Sequence, residues 1–201
     1  MRVSFYNKLL RFRCPFNVTI MMEEKITYRL DYRKAIEAIV WLANKKPKID
    51  IYHIAKILYY AEKEHLNRYA RPIIGDTYIA MSYGQVPSGV RDLITKNSWL
   101  DPDYLDCFSR SLTVNKKKLV ALRKPDLRYF SETDIECLEE SLLKYGDMPF
   151  EELKNTSHDE RTWLETEPNK PIDYLLMIDE NNPNKEEITE DIYLTSQYAK
   201  F

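Results

Sequence analysis

GDTYIAMSYGQVPSG, residues 75–89, holds three of the four glycines in a chain of 201 residues. Average usage would give about 14 glycines at this length. A sequence so sparing of glycine concentrates it around one short aromatic segment, Tyr78 to Tyr83. Glycine supplies positive φ or lets another backbone approach closely. The window therefore reads as a strand over 78–83, bent at Gly75-Asp76 and broken at Gly84. Ser88, after Pro87, reads as the N-cap of a helix carrying Val90, Leu93 and Ile94.

Before this window, IYHIAKILYYAEKEHLNRY has the apolar spacing of a helix, with Ile51, Ile54, Leu58, Ala61 and His65 as its stripe. Ile57, Leu58, Tyr59 and Tyr60 are consecutive, and at about 100° per residue they cover most of the circumference. The helix is either wrapped on several sides or shows an aromatic surface to a partner. Glu62 falls near the stripe, where a buried carboxylate needs a partner, such as a buried cation. Upstream, DYRKAIEAIVWLANKK reads as a helix with Ala35, Ile36, Ile39 and Val40 inward and Arg33, Lys34 and Glu37 opposite. Pro47 and Asp50 mark the break and the next cap.

Downstream, residues 110–124 read as a hairpin turning at Asn115-Lys116, able to join 78–83 in a three-stranded antiparallel sheet. Ser131 caps a helix through Ile135, Leu138, Leu142 and Tyr145, with Gly146 at its C′ position. A short helix follows around Phe150 and Leu153. Ser157 and Glu160 have capping-box spacing ahead of Trp163 and Leu164. PIDYLLMI is a short apolar segment, and Ile188, Ile192 and Thr195 give the end of the chain weak helical periodicity. The fold class expected is α+β and predominantly helical, a helical body with a small antiparallel sheet. Residues 1–21 read as a poorly ordered extension, 22–165 as the main domain, and 166–201 as a tail that packs on it or clamps a partner.

The formal net charge of −2 gives no global attraction to nucleic acid or anionic membranes. The lysine runs 45, 46, 48 and 116–118 read as solvated turns. The three cysteines, Cys14, Cys107 and Cys137, form no C-x-x-C motif and read as reduced thiols of a cytoplasmic protein. No apolar run reaches membrane-spanning length. There is no phosphate loop and no nucleophile elbow, and the three histidines lack metal-ligand spacing. No cofactor is expected. An enzymatic alternative needs Glu62, Asp76 and His158 to converge beside Arg71 and Tyr83 as general acid and base.

Lys56, Leu58, Tyr59, Tyr60, Ala61 and Glu62, then Tyr69, Pro72, Ile73, Gly75, Asp76, Tyr78 and Ala80, then Tyr83, Gly84, Val86, Pro87 and Ser88 form a combined pattern. It resembles the signature of the Panacea domain of SocA-like antitoxins and phage-associated proteins. SHDERTW, through Ser157, His158, Glu160 and Trp163, resembles a later element of that family. Ala70 stands where the family usually has glycine, implying ordinary right-handed or extended backbone there. Gln85 replaces a proline.

The resemblance spans roughly residues 32–165. It implies a non-enzymatic antitoxin that neutralises a cognate protein toxin by direct binding, the toxin being encoded by the adjacent gene. The alternatives are an enzyme or an adaptor that delivers its partner to a protease. Tyr60, Tyr83, Gln85 and Pro87 are the expected contact residues. Lys56, Tyr59, Glu62, Gly75, Asp76, Tyr78, Gly84, His158 and Trp163 are expected to hold the motif together. The chain has no spare length for a DNA-binding domain and no basic recognition helix, so strong nucleic-acid binding is not expected.

Overall fold

The computed structural model describes residues 26–198; the segment 1–21 lies outside them. The protein is a mostly helical α+β fold, 57% helix, with two antiparallel two-stranded sheets. Helix α1 spans Tyr32–Lys45 and α2 spans Ile51–Tyr69. The hairpin β1 (Tyr78–Met81) and β2 (Gly84–Pro87) leads into α3 (Ser88–Thr95). Helix α4 (Pro102–Ser111) precedes the second hairpin, β3 (Leu112–Asn115) and β4 (Lys118–Ala121). Helices α5 (Glu132–Tyr145), α6 (Phe150–His158), α7 (Arg161–Leu164) and α8 (Lys185–Tyr198) follow.

Helix α2 is the central element. It packs on α5, on β2 and α3, and on α8. Eleven of its residues, from Ile54 to Leu66, are buried, so it is wrapped on several sides. Asp31 caps α1 by accepting from Lys34 N–H, and Asp50 caps α2 by accepting from His53 N–H. Ser131 and Asp134 form a reciprocal capping box on α5.

Several local expectations are corrected. The three-stranded sheet does not form, because the chain turns back at Ser82-Tyr83 and residues 84–87 take the pairing edge of β1. Gly84 therefore opens a second strand. The second hairpin turns at Lys116-Lys117, whose φ values of 48° and 65° are those of a type I′ turn. Glu37 is buried, held by the Arg123 guanidinium and by Asp126 N–H at 2.8 Å. Gly146 ends α5 in right-handed backbone. Ser157 lies inside α6 and caps nothing, and α7 begins after Glu160 without a side-chain cap.

Ala70 is the sharpest correction. It ends α2 in left-handed backbone, φ 53° and ψ 24°, and its N–H donates to Leu66 O. An L-residue there carries strain of about 1–2 kcal/mol that glycine avoids. Ala70→Gly relieves the strain but loosens the unfolded chain. The expected net gain is about 0.5–1 kcal/mol, read as a Tm rise of about 1–4 °C. An unchanged or lower Tm contradicts this reading of the α2 terminus.

The segment after Pro168 packs on the body. Ile172 N–H donates to Tyr78 O and Ala80 N–H to Lys170 O, so this stretch runs beside β1. Tyr174, Met177, Ile178, Ile188 and Ile192 are buried in the core.

Candidate functional site

The family-like residues form a buried scaffold around the β1–β2 hairpin. Past Ala70 and Pro72 the chain returns over α2. The fully buried Glu62 carboxylate accepts N–H bonds from Ile73 (2.8 Å), Ile74 (3.0 Å) and Gly75 (2.8 Å). Its partners are these backbone amides and the Tyr174 hydroxyl, and among the described residues no cation lies at ion-pair distance. Gly75, at φ 70°, makes the turn that aligns the last of them. Desolvation raises the Glu62 pKa, and the three amides oppose the shift.

Asp76 performs the capping expected of Ser88. Its carboxylate accepts from Gly89 and Val90 N–H, both at 2.8 Å, at the start of α3. The Tyr174 hydroxyl lies 2.6 Å from Asp76 O and 3.2 Å from Glu62 Oε1, joining the two carboxylate-bearing turns. Burial pushes Asp76 up to about 7. A carboxyl with a raised folded pKa contributes stability that is present below its unfolded pKa and lost as pH rises through the folded one. Wild-type stability in urea is expected to carry a downward contribution from pH 5 to 7 that Asp76→Asn removes. Equal pH slopes in the two proteins would contradict it.

The second half of the scaffold ties β2 to α6 and α7. Gln85 is buried. Its Nε2 donates to Ser157 O and Thr162 Oγ1, both at 3.0 Å, and its Oε1 accepts from the Ser157 hydroxyl at 2.6 Å. Tyr59 shares a hydrogen bond with Thr162 Oγ1 at 2.6 Å. Trp163 Nε1 donates to Met81 O at 2.9 Å, and its ring stacks on His158 at 4.0 Å. Lys56 is buried, donating to Gln85 O at 2.8 Å beneath the Tyr52 ring. Desolvation pulls its pKa down to about 7. Tyr78 is buried against Tyr59 and Tyr174. Pro87 is buried at the end of β2.

Of the four expected contact residues, one reaches the surface. Tyr83 is 55% exposed at the hairpin tip, while Tyr60, Gln85 and Pro87 are inside. Tyr60 stacks on Tyr145 at 3.9 Å in the α2–α5 interface. Tyr83 does not stand alone. Its ring meets Phe150 edgewise at 5.8 Å, Phe150 (42% exposed) meets Tyr52 at 4.7 Å, and the Tyr52 hydroxyl donates to Tyr83 O. These three rings form a surface strip joining the hairpin tip to the first turns of α2 and α6. The sequence reading did not place Phe150 and Tyr52 beside Tyr83, because their convergence depends on how α6 packs on β2.

The enzymatic constellation does not assemble. Glu62 and Asp76 are neighbours, but both are occupied by backbone amides. His158 belongs to the Trp163 stack, and Arg71 is engaged with Ser131, Thr133 and Asp134. Among the described residues, no three His, Cys, Asp or Glu side chains are grouped to hold a metal ion, and no helix is long and apolar enough to cross a membrane.

The family-like residues are thus mostly buried, and they hold one exposed aromatic residue, Tyr83, at a hairpin tip. The family model for the SocA-like antitoxin, Panacea domain, matches residues 54–164, more than half of the chain, and the chain belongs to that family. No curated protein and no solved structure matches it. The matched segment runs from α2 to α7, so it contains Tyr83 and Phe150 and leaves Tyr174 outside.

Proposed function

We propose that the protein is an antitoxin that neutralises a cognate protein toxin by direct binding, and that the toxin docks on the Tyr52–Tyr83–Phe150 strip. The toxin is the product of the neighbouring gene, and the complex forms in the cytoplasm. The observation that carries the reading is the placement of Tyr83. Buried partners on both sides of the hairpin hold an aromatic residue more than half exposed at its tip. Tyrosine is prominent among interface hot spots because it brings large area at low entropy cost. Family membership supports an antitoxin role, and binding alone asks for no catalytic group.

The test is expression of the neighbouring gene in a bacterial host, alone and with this protein. The expected result is growth arrest, rescue and co-purification of the two proteins. Rescue without co-purification, at a shortened lifetime of the partner, would replace this reading with delivery to a protease.

A further inference from the structure

Two lysine runs that are remote in sequence meet at one corner of the fold. Asp50 pairs with Lys118 in an antiparallel bridge. Ile51 N–H donates to Lys117 O at 3.0 Å, and Leu119 N–H donates to Ile49 O at 2.8 Å. These bonds lay residues 49–51 against the edge of β4, and Lys48, in the turn just before Ile49, comes to the same corner as Lys118, with Leu119 turned into the core. Lys116 and Lys117 form the tip of the hairpin. All four lysines are exposed, and among the described residues none has a carboxylate at ion-pair distance. Asp50, bridged to Lys118, pairs with His53 at 2.7 Å, and Asp147 pairs with Lys46. On a chain of net charge −2 this corner is a local excess of positive charge.

Lys48, Lys116 and Lys117 all have positive φ, at 63°, 48° and 65°. Glycine or asparagine would sit there with less strain. Lysine at all three positions sets charge above turn stability. The corner is also continuous with the aromatic strip. Ile51, which holds Lys117, is followed by Tyr52, and His53 Nε2 donates to Met148 O just ahead of Phe150.

We infer that the lysine corner is the charged half of the same docking surface, and that it selects a partner presenting an acidic segment beside an apolar one. This rests on the antitoxin reading and adds the chemistry of the partner. A nucleic-acid backbone fits less well. Glu151 and Glu152 directly follow Phe150 in the first turn of α6 and would repel phosphates running along the strip. The three rings meet edgewise or tilted rather than as parallel platforms for a run of stacked bases. A membrane fits poorly too, because the hairpin tip has no apolar anchor.

The test is association kinetics between the purified full-length protein and the neighbouring gene's product. Charges at a rim act mainly on the association rate and its salt dependence. For the wild type, the association rate constant is expected to fall about tenfold from 50 to 300 mM NaCl. The quadruple variant Lys48→Gln, Lys116→Gln, Lys117→Gln, Lys118→Gln is expected to lose about tenfold at 50 mM and most of the salt dependence, with an unchanged Tm. The pair Lys116→Asn, Lys117→Gly, which suits a type I′ turn, folds at least as well and shows part of the same loss. Wild-type association rates in the quadruple variant overturn this inference and leave the antitoxin reading standing. No binding by the wild type overturns both. Loss of binding to a generic RNA duplex, with partner association intact, would reassign the corner to nucleic acid and overturn the inference.

Discussion

Gly84→Ala is expected to destabilise the protein by about 2–5 kcal/mol. A Cβ built on Gly84 would lie 1.7 Å from Ser157 Oγ, 2.8 Å from Ser157 Cβ and 2.6 Å from Lys56 Nζ. None of these atoms is free to withdraw. The Ser157 hydroxyl is committed to Gln85 Oε1 from inside α6, and the buried Lys56 ammonium is committed to Gln85 O. Overpacking of this kind costs about 1–3 kcal/mol. The backbone adds to it, since φ is 90° and left-handed backbone costs an alanine about 1–2 kcal/mol more than glycine. Urea denaturation measures the sum. A loss below about 1 kcal/mol would mean that α6 can swing away from β2, and that Tyr83 is not rigidly held. Glycine at this position is thus explained by close approach as much as by turn geometry.

The second large effect is expected at Glu62. Glu62→Ala leaves the N–H groups of Ile73, Ile74 and Gly75 buried without an acceptor. An unsatisfied buried donor costs about 1–3 kcal/mol, so with partial relaxation the loss is about 3–5 kcal/mol. Glu62→Gln is expected to cost less, because Oε1 can still accept from the amides while the new NH₂ group opposes at least one of them. Tyr174→Phe removes a single hydroxyl and is expected to cost about 1–2 kcal/mol. The order Ala, then Gln, then Phe at 174 is the signature of a carboxylate serving as a backbone acceptor. A Gln variant as damaged as the Ala variant would point to a need for charge, as in an ion pair.

The helical body was legible because its signals are local. Asp50 as a cap, the stripe of α2 and Ser131 ahead of α5 are each decided within a few residues. The missed helix α4 had a local signal as well: Asp101 accepts from Asp103 N–H, with Pro102 in the first turn. What sequence could not give was decided by distant packing. Asp76 displaces Ser88 as the cap of α3 because the chain folds back from Gly75 and delivers a carboxylate to the helix start. Ser157 leaves its apparent capping box because Gln85 claims its hydroxyl.

The site was legible in the same uneven way. The motif residues do come together around the hairpin, but the motif could not separate the buried Tyr60, Gln85 and Pro87 from the exposed Tyr83. That division follows from α5 stacking Tyr145 on Tyr60 and from α6 and α7 enclosing Gln85. Tyr174 comes from a segment beyond the family match, where only a short apolar run hinted at burial. The lysine runs read as solvated turns and are exposed, but their meeting is a tertiary fact, fixed by the bridge between Asp50 and Lys118.

The central claim is that the exposed aromatic strip makes the toxin contact while the buried motif only positions it. The most direct measurement is calorimetric titration of the neighbouring gene's product into the wild type and into Tyr83→Ala, Phe150→Ala, with the Tm of each recorded. Binding by the double variant is expected to be at least a hundredfold weaker, about 2.7 kcal/mol or more as expected of two central hot spots, with Tm within a few degrees of wild type. Wild-type affinity in a folded double variant would contradict it and move the contact surface elsewhere on the protein.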